Sequence, residues 1–223
     1  MSRLYSYVLR YDNGAAPNPF WGVCTLVICK PIIRRNAQVG DWIVGTGSKN
    51  VRQADGGNKD LSGKLVYAMK VTQKMTMVEY DSFCRESLPD KIPFNDLVDW
   101  RREVGDCIYD FTNANNPVIR EGVHDENNCD RDLSGTNALL SSHFYYFGDN
   151  VVDLPAYLLP IVMQTQGHKV TESADIIKKF ESWISQFPLN KIDGAPQQKH
   201  MFLKDCSVKN DSKLMKKDKP GGC

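Results

Sequence analysis

The sequence predicts an α+β fold, a small mixed β-barrel with flanking helices, filling residues 1–200 as one globular domain with 201–223 as a basic tail. Three observations lead there. Gly40-Asp41-Trp42-Ile43-Val44-Gly45-Thr46-Gly47-Ser48-Lys49 reads as a turn, a short strand and a glycine-rich loop, and Lys64-Leu65-Val66-Tyr67-Ala68-Met69-Lys70-Val71 as a second strand. Leu4 to Tyr11 alternates, with Tyr5, Tyr7, Leu9 and Tyr11 on one face. Glu172 to Phe187 places Ile176, Ile177, Phe180, Ile184 and Phe187 on one helical stripe, and Pro188 stops it.

The remaining elements follow in chain order. Asp12 to Phe20 is dense in turn formers and reads as an ordered loop. Gly22 to Cys29 is nearly continuous apolar sequence, which predicts a strand buried on both faces. Lys30-Pro31-Ile32-Ile33-Arg34-Arg35 leaves the sheet with three positive charges. Gly47 to Gly63 reads as a mobile loop, and the strand beginning at Lys64 continues to about Lys74. Val78 to Cys84 resembles a short helix, as does Asn95 to Glu103. Gly105-Asp106-Cys107-Ile108-Tyr109 repeats the Gly-Asp-x-Ile turn of residues 40–43. Thr112 to Gly135 looks like a long surface excursion, and Ala138 to Gly148 like an aromatic strand returning to the core.

Composition bounds the function. Lysine plus arginine (28) nearly balances aspartate plus glutamate (27), so any nucleic-acid contact requires a local patch. No apolar run suits a membrane span and the first residues do not read as a signal peptide, so a cytoplasmic protein without a membrane partner is expected. Seven cysteines without a CxxC pair favour reduced thiols.

Flat aromatic faces beside cations suit an unpaired or modified base. The binding candidates are therefore Trp42, Tyr67, Tyr146, Phe20 and Asn18, with Lys30, Arg34, Arg35 and Lys49 as phosphate contacts. Gly45 and Ser48 would supply a backbone cradle, although the spacing matches neither a Walker loop nor a dinucleotide fingerprint. His143, Asp12 and Asp41 are the acid–base candidates, each with an alternative structural role in the core or at a turn. His124, Asp125, Cys129, Asp130 and Asp132 match no zinc or calcium spacing and read as a solvated acidic loop. There is no obvious cysteine–histidine pair, and neither a metal nor a cofactor is expected.

Leu4-Tyr5-Ser6-Tyr7-Val8, Ala16-Pro17-Asn18-Pro19-Phe20, Cys29-Lys30-Pro31, Gly40-Asp41-Trp42-Ile43-Val44-Gly45, Tyr67-Ala68-Met69 and Ser142-x-Phe144-x-Tyr146-Phe147-Gly148 together resemble the nucleotide modification associated domain family, type two, of prokaryotic and phage proteins. The resemblance runs from about residue 3 to 170. Cys107 stands where the family pattern carries asparagine. The resemblance implies a modified nucleotide or nucleic acid as partner, with DNA-modification enzymes as associates. The order of the Gly-Asp-aromatic-Ile turn, glycine loop and Tyr-Ala-Met-Lys-Val strand is also similar to PUA-like domains of the EVE and YTH groups, which implies an aromatic base pocket. An enzyme acting on a nucleotide or base by transfer or hydrolysis, and an adaptor for a modification system, are the alternatives.

Overall fold

The computed structural model describes residues 2–52, 57–95 and 98–198. The expected basic tail lies outside them. The elements run β1 (Leu4–Leu9), β2 (Cys24–Leu26), α1 (Pro31–Asn36), β3 (Trp42–Gly47), β4 (Val51–Arg52), β5 (Asn58–Lys59), β6 (Lys64–Lys70), β7 (Gln73–Thr76), α2 (Met77–Ser87), β8 (Tyr109–Asp110), β9 (Val118–Ile119), α3 (Cys129–Leu133), β10 (Asn137–Ser141), β11 (Phe144–Tyr146), β12 (Val152–Asp153), β13 (Lys169–Thr171) and α4 (Ala174–Ile184). The class is α+β.

No closed barrel is found among the described residues. The larger sheet has the order β11-β6-β3-β1-β13, with β12 also on β6, and a second sheet has the order β2-β10-β7. β1 and β3 are parallel, whereas β6 is antiparallel to β3, and β13 to β1. The sequence reading fails where it assumed continuous strands. The run from Lys64 splits into β6 and β7 in different sheets, and the aromatic run splits into β10 and β11 in the same way. At the second break the Ser141 hydroxyl lies 2.6 Å from the Lys70 carbonyl and 2.8 Å from that of His143, sharing its one proton between them, which holds the crossing chain against β6.

Side-chain alternation then builds three apolar layers. Leu4, Trp42, Val44 and Ala68 pack on one face of the large sheet against Phe180, Trp183 and Ile184 of α4. Tyr5, Tyr7, Ile43 and Met69 occupy the opposite face, where they meet Cys24, Leu26 and Leu139 of the second sheet and Ile33 of α1. Tyr80 and Cys84 of α2 cover the far side of that second sheet together with Ala138 and Leu140. The β3–β6 register shifts between Gly45 and Thr46, so Val66 and Tyr67 both enter the middle layer, a bulge that period-2 reading misses. Gly45 and Gly47 belong to β3 itself. A Cβ on Gly45 would lie 2.4 Å from the Tyr67 ring, so glycine lets that ring pack flat on the strand.

α2 forms where a capping box closes its first turn. The Thr76 hydroxyl accepts from the Glu79 backbone N–H, and the Glu79 carboxylate accepts from Thr76 N–H at 2.7 Å. The sequence misses α1, a six-residue helix with Pro31 in its first turn. Of the helix expected over 95–103, the described residues form the 3-10 turn Trp100–Arg102.

Asp12 gives the fold a pH dependence. Its buried carboxylate accepts from Tyr146 Oη at 2.8 Å, yet burial outweighs that bond and pushes the carboxyl pKa up to about 6. The group is protonated in both folded and unfolded states below about pH 4, and its contribution to stability is lost as pH rises from there through 6. The loss between about pH 4 and 7 is of order 3 kcal/mol. Urea midpoints at those two pH values should therefore diverge less in Asp12→Asn than in the parent chain. Equal slopes in the two proteins would exclude this assignment.

Candidate functional site

A cleft of about 680 Å³ opens at the carboxyl ends of the parallel pair β1 and β3. Arg10 follows β1 and Ser48 and Lys49 follow β3, while Lys30 to Ile33 arrive from the turn into α1. Arg131 of α3 and His168 complete the polar wall, and Val8, Ile32 and Val162 supply apolar surface. No carboxylate lines this cleft among the described residues. Lys30 stands over the Tyr7 ring, with its Nζ 4.6 Å from the ring centre. Burial lowers its pKa to about 8, and the charges of Arg131 and Arg10 push in the same direction. Like charges crowded in a partly dry cleft favour an anion that relieves them.

A second cluster is formed by Cys29 and Asp132, the chain neighbours of Lys30 and Arg131, together with His124; none of the three lines the cleft among the described residues. Cys29 Sγ is 3.6 Å from His124 Nε2, and His124 Nδ1 is 2.5 Å from Asp132 Oδ2. Asp132 also accepts from the Cys29 backbone N–H at 2.9 Å and from Tyr109 Oη at 3.1 Å. Burial works to raise the Asp132 carboxyl, but the bond and charge of His124, the Cys29 N–H and the Arg34 charge hold it below the usual carboxylate range. Arg34 ties the two segments together. It donates to Cys29 O at 2.8 Å, to Asp132 O at 2.5 Å and to Asn137 O at 2.8 Å. Gly135 makes room for it, because a Cβ there would lie 2.2 Å from Arg34 Cζ.

The donor atoms of Cys29, His124 and Asp132 fall within 4.8 Å of one another, close enough to consider a metal. Their arrangement is a different one. Cys29 Sγ faces one imidazole nitrogen and Asp132 the other, and a disulfide sulfur is not the thiolate that a metal would need. Cys29 is disulfide-bonded in this structure, whereas Cys24, Cys84, Cys107 and Cys129 are free, which corrects the expectation of reduced thiols at Cys29.

A family model described as nucleotide modification associated domain 2 matches residues 1–203 of the 223 in the chain. The chain belongs to that family. No curated protein and no solved structure matches it. The family match extends past the region in which the sequence motifs were found, through α4 and beyond.

In this nucleotide modification associated domain 2 protein, Lys30, Ser48 and Lys49 of the expected binding residues line the cleft. The aromatic candidates do not. Trp42 is buried against α4, with its Nε1 donating to Glu181 at 2.9 Å. Tyr67 meets the Tyr7 hydroxyl at 2.8 Å in the middle layer, and Tyr146 is held on Asp12. Phe20 packs edge-on to Trp100, and Asn18 binds the buried Lys91. Arg34 is internal, and Arg35 donates to Ser134 O. Gly45 is a packing glycine rather than part of a cradle. Their common reason is alternation on sheets covered on both faces, which sends strand aromatics into layers rather than into an open barrel mouth.

The acid–base candidates are equally dispersed. His143 packs against Trp42, and burial lowers its pKa with Lys70 assisting. Asp41 accepts from the backbone N–H groups of Arg3 and Gln38, and Asp12 sits under Tyr146. None of these three lines the cleft among the described residues. The excursion from Thr112 to Gly135 is ordered, and it contributes His124, Arg131 and Asp132 instead of a solvated loop. Arg10 and Arg131 went unnoticed because neither lies in a cationic run. The Cys29–His124 pair was hidden by a separation of 95 positions.

Proposed function

We propose that the chain binds a nucleotide or modified nucleotide in the cationic cleft, with the phosphate among Arg10, Lys30, Lys49 and Arg131 and the base toward Val8, Ile32 and Val162. The convergence of those four cations carries the reading, and the family description supports nucleotide modification as its setting. The cleft volume falls within the roughly 300–1,000 Å³ of small-ligand sites. Nucleic acid containing a modified base is the larger ligand that the same chemistry would accept, and a DNA-modification enzyme is the partner it would serve.

Titration with nucleoside monophosphates and short oligonucleotides, each with and without a modified base, tests this reading. Affinity should fall as salt rises, because phosphate contacts release counterions. Replacing Lys49 by methionine should weaken binding by about tenfold, the scale of one charge-assisted hydrogen bond. Lys30 adds a pH signature. A bound phosphate favours its ammonium form, so affinity should drop as pH rises through about 8, and Lys30→Met should remove that dependence. Binding that ignores salt and both substitutions would exclude the cleft as the phosphate site.

A further inference from the structure

Lys30 reaches the cleft without a polar partner. Among the described residues its ammonium makes no hydrogen bond and no ion pair, and it stands on the Tyr7 ring, 4.6 Å from the ring centre. The backbone that carries it is strained. Cys29 has φ 60° and Lys30 has φ 42°, consecutive left-handed conformations at residues other than glycine, and such strain persists only where the surroundings impose it. Here Asp132 accepts from the Cys29 N–H, Arg34 donates to the Cys29 carbonyl, and the Lys30 carbonyl accepts from the Arg34 N–H at 3.1 Å. The turn commits the Lys30 side chain to the cleft.

The groups that face this ammonium are cationic or neutral. Arg10 after β1 and Arg131 of α3 act on it with like charge. His168, just before β13, is a neutral imidazole whose pKa is lowered by burial and by the Lys30 charge, and burial keeps the Tyr7 phenol protonated. With its pKa held at about 8, Lys30 is about one-tenth free amine at pH 7, against less than about one part in a thousand for an ordinary lysine. A desolvated lysine beside other cations is the form in which this side chain attacks carbonyls.

We infer that Lys30 forms an imine with the aldehyde of a phosphate-bearing ligand whose phosphate lies on Arg10, Lys49 and Arg131. That the ligand carries a phosphate rests on the proposed function; the reactivity of the amine does not. A nucleotide without an aldehyde leaves Lys30 as a phosphate contact. In the reaction the ammonium first gives a proton to water, and the nitrogen pair bonds to the aldehyde carbon while the carbonyl π pair moves to oxygen. That oxygen takes a proton from the nitrogen, giving a carbinolamine. The hydroxyl then takes back the proton first lost and leaves as water, and the nitrogen pair closes the C=N bond. One ammonium and one aldehyde become one iminium and one water, so neither an oxidant nor a reductant is consumed and the charge in the cleft is unchanged.

Two arms test this on the full chain, with peptide mass spectrometry reading each lysine. In the first, formaldehyde and cyanoborohydride methylate amines from about pH 6 to 10, a range that brackets the shifted and the ordinary lysine. The exposed Lys59 and Lys178 serve as internal standards. Lys30 should react at least about tenfold faster than these at pH 7, and its rate should level off above about pH 8 while theirs still climb. A Lys30 rate that follows the standards across the range overturns the inference, and this measurement needs no variant.

In the second arm the aldehyde sits beside a phosphate, either in the opened sugar of 2-deoxyribose 5-phosphate or on the base of 5-formyl-2′-deoxycytidine monophosphate. Cyanoborohydride gives hydride to the imine carbon and fixes the adduct. One of the two should be trapped on Lys30 in preference to Lys59 and Lys178, which assigns the source of the aldehyde, and the adduct should be absent from Lys30→Met. Trapping of neither on Lys30 overturns the imine. Trapping on Lys30 that neither salt nor inorganic phosphate weakens, with no nucleotide binding, would remove the proposed function and leave the imine-forming lysine standing.

Discussion

Lys91→Met is expected to destabilise the protein by about 3–5 kcal/mol, the scale of breaking a buried ionic network from one side. The ammonium of Lys91 is fully buried and lies 2.8–2.9 Å from four acceptors, namely Asn18 O, Asn18 Oδ1, Val23 O and Thr25 Oγ1. Thr25 Oγ1 in turn donates to Asp106 at 2.5 Å, and Tyr80 Oη donates to the other Asp106 oxygen at 2.7 Å. Burial lowers the Lys91 pKa and raises that of Asp106, while each charge draws the other back toward its ionised form. Removing the ammonium strips the Val23 carbonyl of this donor and leaves the buried Asp106 carboxylate without its countercharge, although Asn18 O keeps the Thr25 N–H and Asp106 keeps its two hydroxyl donors. Urea unfolding of Lys91→Met, of Asp106→Asn and of the double variant measures the coupling, and the double variant should be less destabilised than the sum of the singles. Strict additivity with a loss below about 1 kcal/mol in Lys91→Met would refute the network. Because Lys91 does not line the cleft, nucleotide affinity of the folded fraction should not change.

Arg34→Lys is expected to cost about 2–4 kcal/mol. Lysine cannot reproduce a fork that reaches Cys29 O, Asp132 O and Asn137 O from one plane, although Asp132 O keeps a further backbone donor, the Gly135 N–H at 3.0 Å. Burial lowers the Arg34 pKa to about 10, with Asp132 opposing that shift, so the guanidinium stays charged at neutral pH. Urea midpoints measure the loss, and a midpoint unchanged in Arg34→Lys would refute it. Lys49→Met, in the cleft, should leave the midpoint unchanged.

Legibility varied with the range over which each signal acts. α4 could be read because its 3.6-residue stripe, Ile177 with Phe180 and Ile184, is encoded within one window, whereas α2, expected only over Val78 to Cys84, begins at the Thr76–Glu79 cap that the structure shows. β1 was visible from its alternating tyrosines for the same reason. The breaks after Lys70 and Ser141 were not, since the apolar pattern continues while the chain changes sheets. Lys30 and Lys49 were visible as cations next to turns, but Arg34 has the same local setting and is internal. Helical direction separates them, and α1 was not foreseen.

By itself, the sequence determined the α+β class, the principal helices and the membership of the nucleotide modification associated domain 2 family, because periodicity, caps and motifs are local properties of the chain. Only the tertiary structure decided that no closed barrel forms among the described residues, that Arg10, Lys30, Lys49 and Arg131 share a cleft, and that Cys29 meets His124 and Asp132. The last of these joins residues 95 and 103 positions from Cys29. Contacts across such distances are fixed by how layers pack and where carbonyls need donors, and neither requirement leaves a mark in the neighbouring sequence.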